Sequence, residues 1–304
     1  MSNISKTCLT LVFTLTACAC SGFIERRAVQ STVELIGRSR AAMAQEADPA
    51  LVRDATPSGI KTLEGFYLID PHNRNLLVLL AESYCQYAAG FLQDDWEAAI
   101  MVGQPAQAEA LRARARIHLS RCISYAVRLL DRAWLDTIYR DPDGLIALAG
   151  RAGRKDVAGM FWIALGLGTM IGMDPMDPGL AVYLPAVLVL LERVIALDEA
   201  HGDGLALMTL GIILSAQSAS IGGNPERGKE LFERARAVTG GKSLMIDTMM
   251  ARTYAVTTRD QALFRALLDR VVRAPTNLWP EQRLANALAR QKARRYLAHE
   301  SRFF

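Results

Sequence analysis

Residues 59–84 read GIKTLEGFYLIDPHNRNLLVLLAESY. Small and aromatic residues recur in this stretch at the spacing of a tetratricopeptide repeat, in which pairs of helices stack in series. The second helix of one pair would carry Gly59, Leu63 and Phe66, and Pro71 would end it. The first helix of the next pair would follow in register, with pattern residues at Ala81 and Tyr84. The stretch therefore predicts a junction between two stacked helix pairs.

The same spacing returns further along the chain. Pattern residues recur in the segments 162–169, 187–194, 207–214, 228–240, 247–254 and 261–274. Small residues at Ala81, Gly166 and Gly211 would let two helices approach closely, and aromatic residues at Phe66 or Phe232 would fill the space between pairs. Strand patterns are nearly absent, and alanine, leucine and arginine dominate. We predict an all-α chain in which residues 27–304 form one tetratricopeptide-like helical repeat (α-solenoid) domain, with irregular connections near 102–109, 140–156 and 174–180.

Two of the predicted first helices carry no charge. Residues 157–173 read VAGMFWIALGLGTMIGM, and residues 204–225 are uncharged as well. The first of them touches the lower limit of about 17 residues for a membrane span, but a buried solenoid helix fits better. Uncharged inner helices suit an apolar tunnel, because ligand pockets are mostly apolar with a few orienting polar groups. The residues expected to line the tunnel are Tyr84, Trp162, Met170, Gln217 and Tyr254, and for each the alternative is an ordinary place in the core.

The N-terminus has the layout of an export signal. Residues 11–22, LVFTLTACACSG, form an apolar run that follows Lys6 and is too short to span a membrane. The end of this run resembles a bacterial lipoprotein signal, in which the chain is cut before an acylated cysteine. We therefore predict a signal peptide over 1–17, lipid attachment at Cys18 and a tether over 18–26. The alternatives are an ordinary signal peptide ending near Cys18, or a start codon placed too early.

Charge and composition exclude several classes of function. The net charge is +4, and cleavage before Cys18 would remove Lys6 and no acid, which leaves +3. This is too mild to indicate a nucleic-acid partner. The four histidines are scattered, so neither a metal site nor a cofactor is predicted. No Ser-His-Asp arrangement, Cys-His pair or carboxylate pair stands out, and we predict that the protein is not an enzyme.

Two cysteines and two basic stretches are further candidates for a structural or binding role. In an exported protein Cys85 and Cys122 could form a disulfide, and the alternative is two buried free thiols. Arg112, Arg114, Arg116 and Arg121 are interpreted as a solvated helix face, since no aromatic residues interleave with them. A second basic stretch, 290–295, is interpreted in the same way, or as a contact with phospholipid headgroups.

The chain resembles the T-component family of tripartite ATP-independent periplasmic (TRAP) transporters. The resemblance runs from about Ala47 to the end, and its clearest segments are 47–91, 224–272 and 280–297. It implies a periplasmic, lipid-anchored homotrimer with an apolar pore through each protomer. It also implies a partnership with the substrate-binding protein of a transporter. The family has no motif of catalytic residues to transfer.

These observations lead to one functional hypothesis and one alternative. The hypothesis is a periplasm-facing accessory of a TRAP-type transporter, which binds or conducts small hydrophobic or amphipathic organic acids and docks a soluble substrate-binding protein. The alternative is a lipid-anchored scaffold for envelope protein assembly without a small-molecule ligand. A peptide-binding groove would carry polar first helices, whereas those at 157–173 and 204–222 are almost free of charge. Ala19 after the anchor favours the outer membrane over the inner one.

Overall fold

The computed structural model describes residues 3–217 and 223–304, and their side chains from Gly22 onward. Within these ranges every regular element is helical, as predicted. The helices of the N-terminal half are α1 (Asn3–Ala44), α2 (Pro49–Ile69), α3 (Arg74–Tyr87), α4 (Gln93–Met101), α5 (Pro105–Val127), α6 (Arg132–Thr137) and α7 (Pro142–Arg151). Those of the C-terminal half are α8 (Val157–Met173), α9 (Pro178–Ala181), α10 (Leu184–Leu197), α11 (Leu205–Ser215), α12 (Pro225–Val238), α13 (Leu244–Met250), α14 (Gln261–Arg273) and α15 (Arg283–Ala298).

Polar N-caps begin many of these helices. The Asn73 side chain accepts a hydrogen bond from Leu76 N at 3.1 Å, and the Asp260 side chain accepts one from Leu263 N at 2.8 Å. Both satisfy backbone N–H groups that have no partner inside the helix. Asn224 caps α12 in the same way, and Pro225 follows at the first helical position. Local sequence therefore determines where the helices begin.

Neighbouring helices pack in chain order. α3 lies against α2 and α5, α5 against α8, α8 against α10, and α11 against α12. The small residues permit this approach, because a Cβ added at Gly166 would lie 2.8 Å from Ile123 Cγ1 of α5. A Cβ added at Gly211 would lie 3.2 Å from the Gly228 oxygen and 3.4 Å from the Phe232 ring of α12. The packing roles predicted for these glycines are confirmed.

The C-terminal helix returns to the beginning of the array. α15 contacts α1 and α2, and its basic side chains reach the carboxylates of α4. Lys292 Nζ lies 2.6 Å from Asp94 and 3.2 Å from Glu97, and Arg252 Nε lies 3.2 Å from Glu97. We call Asp94, Glu97, Arg252, Lys292 and Arg295 the closing cluster. It joins residues that are about 150 to 200 positions apart in the chain.

The closing cluster is largely buried, and its two carboxylates and Lys292 are charged. Burial alone would raise the pKa of both carboxyl groups, but Lys292 and its basic neighbours outweigh that effect and lower the pKa of Asp94 and of Glu97. Burial opposes the charge of Lys292 too, yet Tyr296, Glu97 and Asp94 hold its pKa above the ordinary value. Tyr296 donates its hydroxyl to Glu97 at 2.6 Å. Charges buried in this way must be paired, so the cluster fixes the return of α15 onto α4.

The three expected irregular connections are shorter than predicted or contain a helix. Residues 105–109 belong to α5 and 178–180 to α9, so only 102–104 and 174–177 are irregular there. Residues 140–156 are not an irregular connection, because they contain α7 (Pro142–Arg151) and a short 3-10 turn, Arg154–Asp156. Asp141 caps α7 by accepting a hydrogen bond from Gly144 N at 2.9 Å, with Pro142 at the first helical position. Asp-Pro followed by an apolar repeat is a helix start rather than a break.

Among the described residues, two helical stretches are long and apolar enough to cross a membrane. They are Arg154–Met173 and Pro178–Leu197, of which 67% and 39% lie inside the protein. Core helices of globular proteins can be equally long and apolar, and both segments pack against other helices of the array.

Candidate functional site

An apolar face is formed by α8 and α11. The half-buried residues on it are Leu165 and Gly168 of α8 and Ile212 and Ile213 of α11. The helices come close at Gly168, where an added Cβ would lie 3.6 Å from Ile213 Cδ1 and 3.5 Å from Val187 Cγ1 of α10. Neither α8 nor α11 carries a charged residue. This face can therefore contact apolar molecules without desolvating a charge.

Of the five predicted lining residues, two lie on α8. Trp162 is buried, its ring packs edge-on against Phe161 with centroids 4.8 Å apart, and its carbonyl oxygen lies within 3.7 Å of two cysteine sulfurs. Met170 lines a cleft of about 140 Å³ near Arg112 and Asp174, which form an ion pair at 2.7 Å. The two residues therefore lie in different surroundings.

The two C-terminal lining residues differ in their exposure. Gln217 is exposed and is the last residue before the segment 218–222, which lies outside the described residues. Tyr254 is buried, donates its hydroxyl to Glu226 at 3.1 Å, and has the Lys229 ammonium 5.8 Å from its ring centroid.

Tyr84 belongs to a different feature, which extends along α2, α3 and α5. Its hydroxyl donates to Glu64 at 2.6 Å and accepts from Arg121 at 3.0 Å. Its ring stacks on Tyr125 and on His118, with centroids 5.9 and 5.6 Å apart. The structure therefore brings an aromatic residue predicted to line a tunnel into contact with arginines predicted to be solvated.

Three arginines repeat this arrangement at seven-residue spacing, two in α5 and the third, Arg128, directly after its last residue. Arg114, Arg121 and Arg128 each place the guanidinium over a tyrosine ring, at 5.7 Å from Tyr87, 5.6 Å from Tyr84 and 5.5 Å from Tyr67. Each also donates a hydrogen bond to the hydroxyl of that tyrosine. We call these six residues the arginine–tyrosine ladder. The interpretation of Arg114 and Arg121 as an ordinary solvated face missed it, although the heptad spacing was visible in the sequence.

Ionisation in the ladder is set by its hydrogen bonds. Burial opposes the charge of Glu64, but bonds from Lys61, Tyr84 and Tyr125 outweigh it and lower the pKa of that carboxyl group. Burial and the bond to Glu64 raise the pKa of Tyr84 to about 12. Burial, with Arg114 and Arg121 nearby, lowers the pKa of His118. At neutral pH Glu64 is therefore charged, while Tyr84 and His118 are neutral.

A cleft of about 320 Å³ opens at one end of the ladder. Pro57 of α2 and Phe91 and Leu92 after α3 supply its apolar walls, and Arg114 borders it. On the other side Arg53 forms a two-pronged ion pair with Asp95, at 2.8 and 2.9 Å. Four of its eight lining residues are charged, and Phe91 and Leu92 are almost fully buried, so the cleft presents mainly polar surface.

Cys85 of α3 and Cys122 of α5 lie side by side behind the ladder. Their Cα atoms are 5.3 Å apart and both side chains are fully buried. This separation is in the range that a disulfide requires. The two cysteines directly follow Tyr84 and Arg121 in the sequence, so the cysteine pair and the hydrogen-bonded pair occupy adjacent positions on the same two helices.

Comparisons with known proteins identify the family. The sequence model described as "TRAP transporter T-component" matches residues 45–304. The chain is also similar to an uncharacterised protein of Treponema pallidum (strain Nichols), with 25% identity over 264 residues that cover 86% of this chain and 81% of that protein. The matched region begins at the end of α1 and includes the apolar face, the ladder and the closing cluster. This chain therefore belongs to the TRAP transporter T-component family, a family of transport components of the cell envelope.

Proposed function

We propose that the protein is a periplasm-facing accessory of a TRAP-type transporter, which binds or conducts small hydrophobic or amphipathic organic acids and docks a soluble substrate-binding protein. Membership of the T-component family supports the transport role. The observation that carries the choice of ligand is the apolar face, where α8 and α11 present half-buried side chains without any charge. Burial of apolar surface there would contribute roughly 25 cal/mol for each Å² removed from water.

The anchoring of the protein is part of the same proposal. Residues 1–17 would be the signal peptide, and Cys18, whose side chain lies outside those described, would carry the lipid. Several acyl chains give stable membrane attachment, whereas a single chain does not. α1 continues from this region to Ala44, and its Val29 and Val33 are buried in the core, so it would connect the anchor directly to the helical domain. An outer-membrane location and a homotrimer complete the proposal.

The helix pairs are proposed to form a tetratricopeptide-like solenoid that encloses an apolar tunnel. Successive packing of α2, α3, α5, α8, α10 and α11 supports the solenoid. The closing cluster supports enclosure, because it ties the last helix to the first third of the array. The proposal also includes a disulfide between Cys85 and Cys122, supported by their placement and by the oxidising compartment.

Native mass spectrometry tests the ligand. The chain beginning after Cys20 would be purified from periplasm, measured intact, and then denatured so that bound small molecules are released and identified. We expect a trimer that releases a hydrophobic or amphipathic organic acid. An empty monomer that retains a protein partner would contradict the transport role and support the scaffold.

A matched pair of substitutions locates the site. Ile213→Gln places an amide on the apolar face, and burial of an unpaired amide costs about 1–3 kcal/mol, so occupancy should fall about tenfold or more. Ile117→Gln makes the same change at an exposed position of α5 and should leave occupancy unchanged. Equal occupancy in both variants would show that the apolar face does not hold the ligand.

A further inference from the structure

The arginine–tyrosine ladder lies in a groove between two parallel helices. One side of the groove is formed by α5 and its C-terminal end, with Arg114, Arg121 and Arg128 in that order. The other side is formed by α2, whose residues follow in the same direction: Arg53, Pro57, Glu64 and Tyr67. Tyr84 and Tyr87 of α3 form the floor. The rungs at 114 and 128 are fourteen residues apart, which is about 21 Å along a helix. The groove is therefore long enough for several turns of a bound helix.

The ladder arginines are exposed but held in place. Each guanidinium lies over a tyrosine ring and donates one N–H to the hydroxyl of that tyrosine. Its other N–H donors are free to bind a carboxylate. The ion pairs that α5 makes to the 174–177 segment use Arg112 and Arg116 instead. Arginines fixed before binding lose little conformational freedom when they bind, so they suit bidentate recognition of carboxylates.

The charge of the groove selects the kind of partner. Glu64 is offset by Lys61, and Asp95 by Arg53, so the three ladder arginines leave the groove positive even with exposed Asp54 at its rim. Tyrosine and arginine are also the residues most enriched at the energetic centres of protein interfaces.

We propose that the arginine–tyrosine ladder is the docking groove for an acidic helix of a protein partner, with carboxylates seven residues apart. A single small carboxylate would engage one rung and leave the others unused, whereas a helix with that spacing meets all three. This inference deepens the docking part of the proposed function, and it does not depend on the apolar face or on any tunnel.

A designed peptide provides the probe. A labelled alanine-rich helical peptide of about 20 residues would carry glutamates at positions 3, 10 and 17. A scrambled peptide of the same composition would place the glutamates on different faces. Binding to the full chain in mild detergent would be followed by fluorescence anisotropy. We expect the heptad peptide to bind at least tenfold more tightly than the scrambled one, and its affinity to fall as salt increases.

Charge-matched triple variants test the site. The ladder triple Arg114→Gln/Arg121→Gln/Arg128→Gln should weaken binding of the heptad peptide at least tenfold. The control triple Arg132→Gln/Arg273→Gln/Arg294→Gln removes the same charge from exposed positions and should change it less than twofold. Circular dichroism would verify that both triples remain helical. Arg121→Lys keeps the charge without the planar stack, and it should weaken binding by less than the ladder triple does.

Four results would overturn the proposal. The ladder triple could bind the heptad peptide as well as the unmodified chain, or the control triple could be weakened equally. The ladder triple could change the mass of the oligomer, which would make the groove a contact between copies of this chain. The Cys18→Ser chain, which cannot carry the lipid, could bind phosphatidylglycerol vesicles through the ladder arginines and fail to bind the peptide. That result would identify the ladder as a surface that contacts the membrane. The ladder triple should retain any small molecule found by mass spectrometry, because the ladder is not part of the apolar face. Loss of peptide binding therefore reports on the docking groove alone, and loss of the small molecule reports on the ligand proposal alone.

Discussion

Arg121 of α5 donates a hydrogen bond to the Tyr84 hydroxyl of α3 at 3.0 Å, directly beside the paired cysteines Cys85 and Cys122. The same tyrosine donates to Glu64 of α2 at 2.6 Å. Three helices are thus joined at one point by a chain of charge-assisted hydrogen bonds, which are about twice as strong as neutral ones. A covalent bond next to this point would hold the middle rung of the ladder in register.

The Cys85→Ala/Cys122→Ala variant tests this bond. A disulfide that closes a loop of this length stabilises a protein by about 2–4 kcal/mol, chiefly by restricting the unfolded chain. We therefore expect the variant to lose about that much unfolding free energy in urea. Reductant should destabilise the unmodified chain by a similar amount and leave the variant unchanged. If reductant has no effect on the unmodified chain, the two cysteines are buried free thiols.

Removal of one carboxylate from the closing cluster should be costly. Asp94→Asn leaves Lys292 and Arg295 buried without their nearest counter-charge, and breaking a buried pair in this way costs about 3–5 kcal/mol. Asp136→Asn is the control, because its pair with Arg132 is exposed and should contribute at most about 1 kcal/mol. Urea unfolding followed by circular dichroism measures both. Similar losses in the two variants would mean that the cluster does not close the array.

The closing cluster also predicts the acid limit of stability. Asp94 and Glu97 have a lowered pKa in the folded state, so their contribution is fully present above their ordinary pKa values of 3.8 and 4.5. It is lost as pH falls through the lower folded-state values, where the carboxylates take up protons. The urea midpoint should therefore stay flat near neutral pH and fall below about pH 4. The Asp94→Asn/Glu97→Gln variant should show a shallower fall, and an equally steep fall would assign the acid limit to other groups.

The same cluster acts in the opposite sense at high pH. Lys292 has a raised pKa, so its contribution is present below the ordinary value of 10.5 and is lost only as pH rises through the higher folded-state value. We expect no loss of unfolding free energy from this residue up to about pH 10. A titration of the urea midpoint between pH 7 and 10 checks this, with Lys292→Met as the comparison. A loss that begins near pH 8 and is absent from Lys292→Met would contradict the pairing.

Two glycines of α8 should respond oppositely to alanine. At Gly166 the new methyl group would meet Ile123 of α5, and such overpacking costs about 1–3 kcal/mol. At Gly172 no atom lies within 4 Å of the added Cβ, so the better helix propensity of alanine should stabilise the protein by up to about 1 kcal/mol. Thermal unfolding of Gly166→Ala and Gly172→Ala measures the difference. Equal stability would mean that the α5–α8 contact is looser than the structure shows.

Much of the local architecture was predictable from the sequence. The helix at 157–173 was predicted with the bounds that the structure has, because Asp156 and Asp174 flank an uninterrupted apolar run. Close packing at Gly166 and Gly211 followed from the repeat pattern. The helix α7 was missed because 140–156 was predicted to be an irregular connection, although Pro142 stands where a proline commonly opens a helix.

The ladder was only half predictable. The heptad spacing of Arg114, Arg121 and Arg128 is a local property of α5 and its C-terminal end and could have been found. Its partners Tyr67, Tyr84 and Tyr87 lie on two other helices, and only the packing of α2, α3 and α5 brings them under the guanidinium groups. The five residues predicted to line a tunnel show the same limit, since they lie on several helices whose relative rotation the pattern does not specify.

What the sequence by itself determined is the helical content, the helix starts and the small residues at the packing contacts, because these depend on neighbours within one or two turns. Only the tertiary structure decided that Lys292 and Arg295 meet Asp94 and Glu97, about 200 residues earlier in the chain. That meeting depends on the angles between all the intervening helices. Small rotations at each pair accumulate along the array, and no single stretch of sequence records their sum.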